Sequence, residues 1–108
     1  MKVIVVDDHD LVRAGIIAQI DAQDGIEVVG EAASVDEAVQ VIATAQSDVV
    51  LLDVHLPGGE GGGGAEVIRR ILAGSQLKPK FLALSVSDAA DDVVSVIRAG
   101  ARGYVTKY

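Results

Sequence analysis

A chain of 108 residues, half of them apolar and none of them cysteine, has room for one small domain with an aliphatic core and excludes a disulfide framework or a thiolate metal site. Its formal net charge of −7 argues against direct nucleic-acid binding by this segment. The opening "MKVIVVDD" is too short for a signal-peptide core, and no apolar run approaches the roughly 20 residues that cross a bilayer, so no membrane contact is expected and a cytoplasmic location is.

In chain order, the first β-branched run is Val3–Val6, followed by helical spacing of Val12, Ile16, Ile17 and Ile20. Glu27–Ala32 forms a second run. Ser34, with Glu37 three residues on, makes a capping box that opens a second helix marked by Ala38, Val39 and Ile42. Val49–Leu52 is the third run, and Val67, Ile68, Ile71 and Leu72 space a third helix. Phe81–Leu84, a helix marked by Val93, Val96 and Ile97, and a last run Gly103–Thr106 complete the pattern. Gly25, Gly74 and Gly100 fall just past helical stretches, where a left-handed cap is expected. The first and third runs are almost continuously apolar, as buried parallel strands tend to be. Strict alternation predicts an α/β domain, a parallel sheet with helices on both faces, spanning residues 1–108 without linker or internal repeat.

The polar residues that follow the strands carry the chemistry. Asp7 and Asp8 follow the first, Asp53 the third and Ser85 the fourth, while Thr106 and Lys107 end the fifth. In a parallel sheet these positions share one edge, where open α/β sheets bind ligands. Singly, each has a plain reading: a helix cap for Asp7, Asp8 or Ser85, a turn former for Asp53, a solvated charge for Lys107. Together, three carboxylates repel unless a cation sits among them, and oxygen donors of this kind suit Mg²⁺. A carboxylate beside Mg²⁺, with a hydroxyl and an ammonium aimed at the same point, suits phosphoryl transfer. Asp53 is then the nucleophile, and Ser85 and Lys107 steady the moving phosphoryl oxygens.

The segments "VIVVDDHDLVRAGI", "VVGEAASVDEAV", "DVVLLDVHLPGGEG", "LALSVSD" and "IRAGARGYVTK" together resemble a response-regulator receiver domain of a two-component system over nearly the whole chain. "VDDH", "GEA" and "GARGY" look most like receivers that precede a LuxR-type helix-turn-helix domain. The resemblance implies a doubly wound, flavodoxin-like sheet of strand order 2-1-3-4-5. It makes Asp53 the phosphoacceptor for a sensor histidine kinase, in a reaction that needs Mg²⁺. Asp8, Asp53 and the His55 backbone carbonyl would ligate the metal, with Asp7 acting through a bound water. Ser85 and Tyr104 would form the switch that signals to an output domain outside this chain, a DNA-binding regulator of transcription. Receivers continue past the lysine into a fifth helix, whereas this chain ends at Tyr108. A receiver truncated after the fifth strand, final helix absent, is therefore expected, with a bare apolar face that favours self-association and a homodimer among its forms.

The glycine-rich stretch Gly58–Gly64 lacks the lysine and hydroxyl that close a P-loop; Ala65 and Glu66 follow instead, and Glu60 puts an anion in its middle. It is expected to be a mobile lip of the site, ordered in part by metal or phosphate. His9 is expected to be a solvated first-turn residue, and the ring of His55 to screen the phosphoryl group from water. Asp91 and Asp92 are expected to be solvated near the positive end of the fourth helix. Two other classes compete. A Mg²⁺-dependent phosphohydrolase of the haloacid dehalogenase type would place a second aspartate where His55 stands, and would carry a cap domain. An interaction module without phosphorylation fits poorly with the full acidic set. The expectation is a non-enzymatic switch.

Overall fold

The computed structural model describes residues 1–74, 79–85 and 90–106, the side chains of 85, 90–93 and 106 excepted. The elements run β1 (Lys2–Val6), α1 (Asp10–Asp21), β2 (Glu27–Ala32), α2 (Val35–Thr44), β3 (Val49–Asp53), α3 (Gly63–Gly74), β4 (Lys80–Ser85), α4 (Ala90–Ala99) and β5 (Gly103–Thr106). The five strands form one parallel sheet of order β2-β1-β3-β4-β5. The alternation read from the sequence holds, and strand bounds differ by at most one residue at either end.

Handedness then distributes the helices. The first crossover steps one way along the sheet and the next three step the other way, so right-handed connections put α1 on one face and α2, α3 and α4 on the opposite one. The second face holds the main core. Ile4, Val6, Val50, Leu52, Phe81 and Ala83 of the strands pack there with Val35, Ala38 and Ile42 of α2, Val67, Ile68 and Ile71 of α3, and Val96 of α4. The α1 face is covered less. No residue of α1 is fully buried. Strand alternation turns Val49, Leu51, Leu82 and Val105 to that side; the first three are only partly buried and Val105 is 47% exposed. The apolar stripe of α1 was legible in the sequence, but its shallow burial follows from what else shares the face.

The caps follow local chemistry in two places and depart from it in two. The Ser34 hydroxyl accepts from the Glu37 amide at 3.3 Å, and the Glu37 carboxylate accepts from the Ala33 amide at 3.1 Å. Gly100 takes φ +127°, its amide reaching back to the Val96 and Ile97 carbonyls, as expected of a left-handed cap. Gly25 also has positive φ, but α1 has already ended at Asp21 with Ala22 as its cap. Gly74 lies inside α3 and is not a left-handed cap. Among the described residues, no helix is long and apolar enough to cross a membrane.

Candidate functional site

The strand order reverses between β1 and β3, and the loops leaving their carboxyl ends part around a cleft. Val6 pairs with Leu52, so the next residues, Asp7 and Asp53, lie side by side. Asp7 is fully buried, Asp53 is 3% exposed, and the Asp8 side chain is a third exposed. The sequence had marked these three carboxylates as convergent, and the structure brings them together.

The first loop is held by backbone and by Arg13. The Asp7 amide donates to the Ala32 carbonyl at 3.0 Å, and Arg13 Nη1 donates to the Asp7 carbonyl at 2.7 Å. Arg13 is itself gripped by Glu31 through Nε and by Asp10 through Nη2, and the Glu31 hydrogen bond above all raises its pKa. Asp7 Oδ1 accepts from the His9 amide at 2.8 Å. The His9 ring is not simply solvated, contrary to the sequence-based expectation. It is 62% exposed, yet its Nδ1 lies 3.2 Å from Asp7 Oδ1 and 3.1 Å from Asp8 Oδ1, drawn back by two carboxylates.

Single ligand atoms of Asp7, Asp8, His9 and Asp53 all lie within 4.8 Å of one another. Three carboxylates at this spacing fit a hard divalent cation, with oxygen the dominant donor. The buried position of two of them sharpens the argument, because clustered like charges removed from water are costly without a counter-charge.

The second loop leaves β3 through Val54, whose amide donates to the Leu84 carbonyl at 3.0 Å. The His55 amide donates to Asp53 Oδ1 at 3.2 Å, so this turn orients the carboxylate it follows. His55 lines a cavity of about 470 Å³ with Asp8, Pro57, Gly61, Gly62 and Ser95, among other residues. Ser95, on α4, was missed by the sequence reading; a lone serine in a helical stretch carries no signal.

Gly63 and Gly64 let α3 start against the exit of β3. Gly63 has φ +61°, and a Cβ there would press on the Val54 carbonyl oxygen. A Cβ on Gly64 would lie 2.5 Å from the Asp53 carbonyl oxygen. The glycines thus serve close backbone approach and not a phosphate cradle. Composition led to the expectation of a mobile lip, and the structure shows which groups hold the loop in this conformation. Its amides are held from behind by Asp36 of α2 and Glu66 of α3. Those donors lower both carboxyl pKa values: Gly62 first for Glu66, and Gly59 first, then Arg70, for Asp36.

On the far side of the cleft, Ser85 ends β4 opposite Thr106 of β5, at the same sheet edge as Asp53. The Ser85 side chain, Lys107, and the side chains of Asp91 and Asp92 lie outside the described residues. Tyr104 sits on β5 beside Ala83 and is 44% exposed.

A family model described as the response regulator receiver domain matches residues 3–108. The chain is 42% identical over 107 residues to the response regulator GacA of Pseudomonas syringae pv. syringae, covering 99% of this chain and 48% of that protein. It is 42% identical over 108 residues to the DNA-binding transcriptional activator DevR/DosR of Mycobacterium tuberculosis, with the same coverage of 99% and 48%. The chain thus spans about half the length of the curated relatives it matches. Its fold is similar to that of the signal receiver domain of the response regulator NarL from Mycobacterium tuberculosis, with a TM-score of 0.89 at 32% identity, over 98% of this chain and 82% of that one.

Proposed function

The chain belongs to the response regulator receiver domain family, and on that premise we propose that it is a phosphorylation-controlled switch whose phosphoacceptor is Asp53. The observation that carries this reading is a nearly buried carboxylate at a strand end, aimed by the His55 amide and flanked by two further aspartates. An Asp53 carboxylate oxygen attacks the phosphorus of a phosphohistidine on a sensor kinase. The new O–P bond forms as the P–N bond breaks, and the departing imidazole takes up a proton.

Asp8, Asp53 and the His55 backbone carbonyl would hold Mg²⁺, with Asp7 acting through a bound water. The cation supplies charge neutralisation for the phosphoryl oxygens. Asp8 brings its charge to the cleft wall, while Asp7, locked by the His9 amide and Arg13, keeps the first loop in place. Ser85 would hydrogen-bond a phosphoryl oxygen and Lys107 would offset its charge. Tyr104, half exposed at the edge strand, would read the change in Ser85 and alter the α4–β5 surface. The aspartyl-phosphate thereby biases one of two conformations, as a switch requires. Relatives of about twice this length, one of them named as a DNA-binding transcriptional activator, support an attached transcriptional output domain.

Incubation with acetyl phosphate and Mg²⁺, followed by mass-spectrometric mapping of the acid-labile phosphate, tests the assignment. Label is expected on Asp53 alone and none in Asp53→Ala. Undiminished label in Asp53→Ala would overturn it.

A further inference from the structure

The loop between β3 and α3 is short of side chains that could brace it. Gly58, Gly59, Gly61 and Gly63 all have positive φ, and such a segment has many conformations to lose on ordering. Its order comes from outside the cleft. The Gly59 amide donates to Asp36 Oδ2 at 3.1 Å. The Glu60 and Gly62 amides donate to one oxygen, Glu66 Oε1, at 2.9 Å and 3.0 Å. Arg70 Nη1 joins the two acids, 3.1 Å from Asp36 Oδ1 and 3.5 Å from Glu66 Oε2. The Glu66 residue is only 8% exposed, so its charge sits where hydrogen bonds to it are strong.

The opposite side of the same loop is the cleft wall. Gly61 and Gly62 line the cavity that also contains Asp8 and His55. Gly62 belongs to both surfaces: its amide faces Glu66 while the residue borders the cleft. That wall is therefore held by a carboxylate whose described hydrogen bonds and ion pair run to Glu60, Gly62 and Arg70 and not to the aspartates of the cleft.

We infer that Glu66, braced by Asp36 and Arg70, is a positioning residue for phosphotransfer: it holds the Gly59–Gly62 segment so that a phosphodonor can approach Asp53. This rests on the phosphoacceptor reading above. Loss of the Glu66 oxygen frees two amides and lets the wall sample positions that obstruct the donor. The metal-ligating carboxylates stay where they are. The defect therefore appears in productive donor binding and leaves the cation affinity in place.

The test uses the full chain with acetyl phosphate as donor across a concentration series at saturating Mg²⁺, comparing wild type, Glu66→Ala and Glu66→Gln. Glu66→Ala is expected to raise the donor concentration for half-maximal rate about tenfold, the scale of one charged hydrogen bond. Its Mg²⁺ dissociation constant should stay within about twofold, as for distant independent sites. Glu66→Gln keeps one carbonyl oxygen for both amides and should recover most of the loss. Amide exchange at Glu60 and Gly62 should quicken in the alanine variant and much less in the glutamine variant. If Glu66→Ala fails to fold, Asp36→Asn and Arg70→Met on the exposed brace take its place, with a smaller rise of about two- to threefold expected. Wild-type donor dependence in a folded Glu66→Ala, or in both brace variants, overturns this inference while leaving Asp53 as acceptor. A wild type that takes no label overturns the acceptor reading and this inference with it.

Discussion

The two loops that frame the cleft use opposite designs. The β1–α1 loop points its own carboxylates inward and is steadied from behind by a cation, Arg13, on its backbone carbonyl. The β3–α3 loop contributes mostly backbone, and carboxylates stand behind it, on its amides. Unsatisfied carbonyls call for a cationic brace and unsatisfied amides for an anionic one, so the sign of the brace follows from which backbone group the turn leaves over. The first wall presents carboxylate side chains, and the second presents mainly backbone and shape, with the His55 carbonyl its proposed contact to the metal.

That contrast makes its strongest prediction at Asp8. Removing this carboxylate touches the chemical wall, so Asp8→Ala should lose Mg²⁺ affinity by more than the roughly tenfold that even a partner behind a metal ligand costs. Labelling by acetyl phosphate should fall with it. Mg²⁺ titration read by calorimetry or by chemical shifts checks this, and unchanged labelling at limiting Mg²⁺ would break the division between the walls.

The shaping wall should also respond to volume added to its own backbone. Gly61 and Gly63 both have positive φ, but a Cβ at Gly61 meets nothing within 4 Å, whereas one at Gly63 presses on the Val54 carbonyl. Gly61→Ala should cost about 1–2 kcal/mol from conformation alone. Gly63→Ala should cost more, with strain of about 1–3 kcal/mol joined by a shift of α3. Urea denaturation of the two variants compares them directly. Equal losses would mean that close approach of α3 to β3 is unimportant.

The smallest effect is expected from pH. Glu66 and Asp36 have carboxyl pKa values lowered in the fold, by the Gly62 and Gly59 amides first and by Arg70 as well. The unfolded chain therefore binds more protons than the folded one as these groups titrate. Their contribution is present above the unfolded carboxylate values of about 4 and is lost as pH falls through the lower folded values. Glu60 and Arg69 line the same outer hollow and will modulate the window. The gap in urea midpoint between wild type and Glu66→Gln should thus narrow on acidification below about pH 4. A gap that widens there would contradict the assigned direction.

Much of this protein was legible in the chain because it depends on neighbours in sequence. Apolar runs of strand length and helical spacing marked the elements, and Ser34 with Glu37 marked a helix start through bonds three and four residues long. The acidic residues after β1 and β3 were readable as one site because parallel alternation alone puts those positions on one edge. The glycine loop was only half legible, for an equally physical reason. Composition reports conformational freedom, whereas the bonds that hold the loop reach across 23 residues from Asp36. The Glu66–Arg70 pair at helical i,i+4 spacing was the available clue, though it could not show that Glu66 also turns back onto the loop.

By itself, then, the order of residues determined the alternating elements, the parallel sheet, and the convergence of Asp7, Asp8 and Asp53, since each depends on local periodicity and on rules of handedness. Tertiary structure alone decided that the α1 helix would bury no residue fully, that Ser95 would reach the cleft, that the His9 ring would turn to the acids, and that Glu66 would hold the glycine loop. These depend on which distant surfaces meet, and a hydrogen bond between segments leaves no period or spacing in the sequence from which to read it.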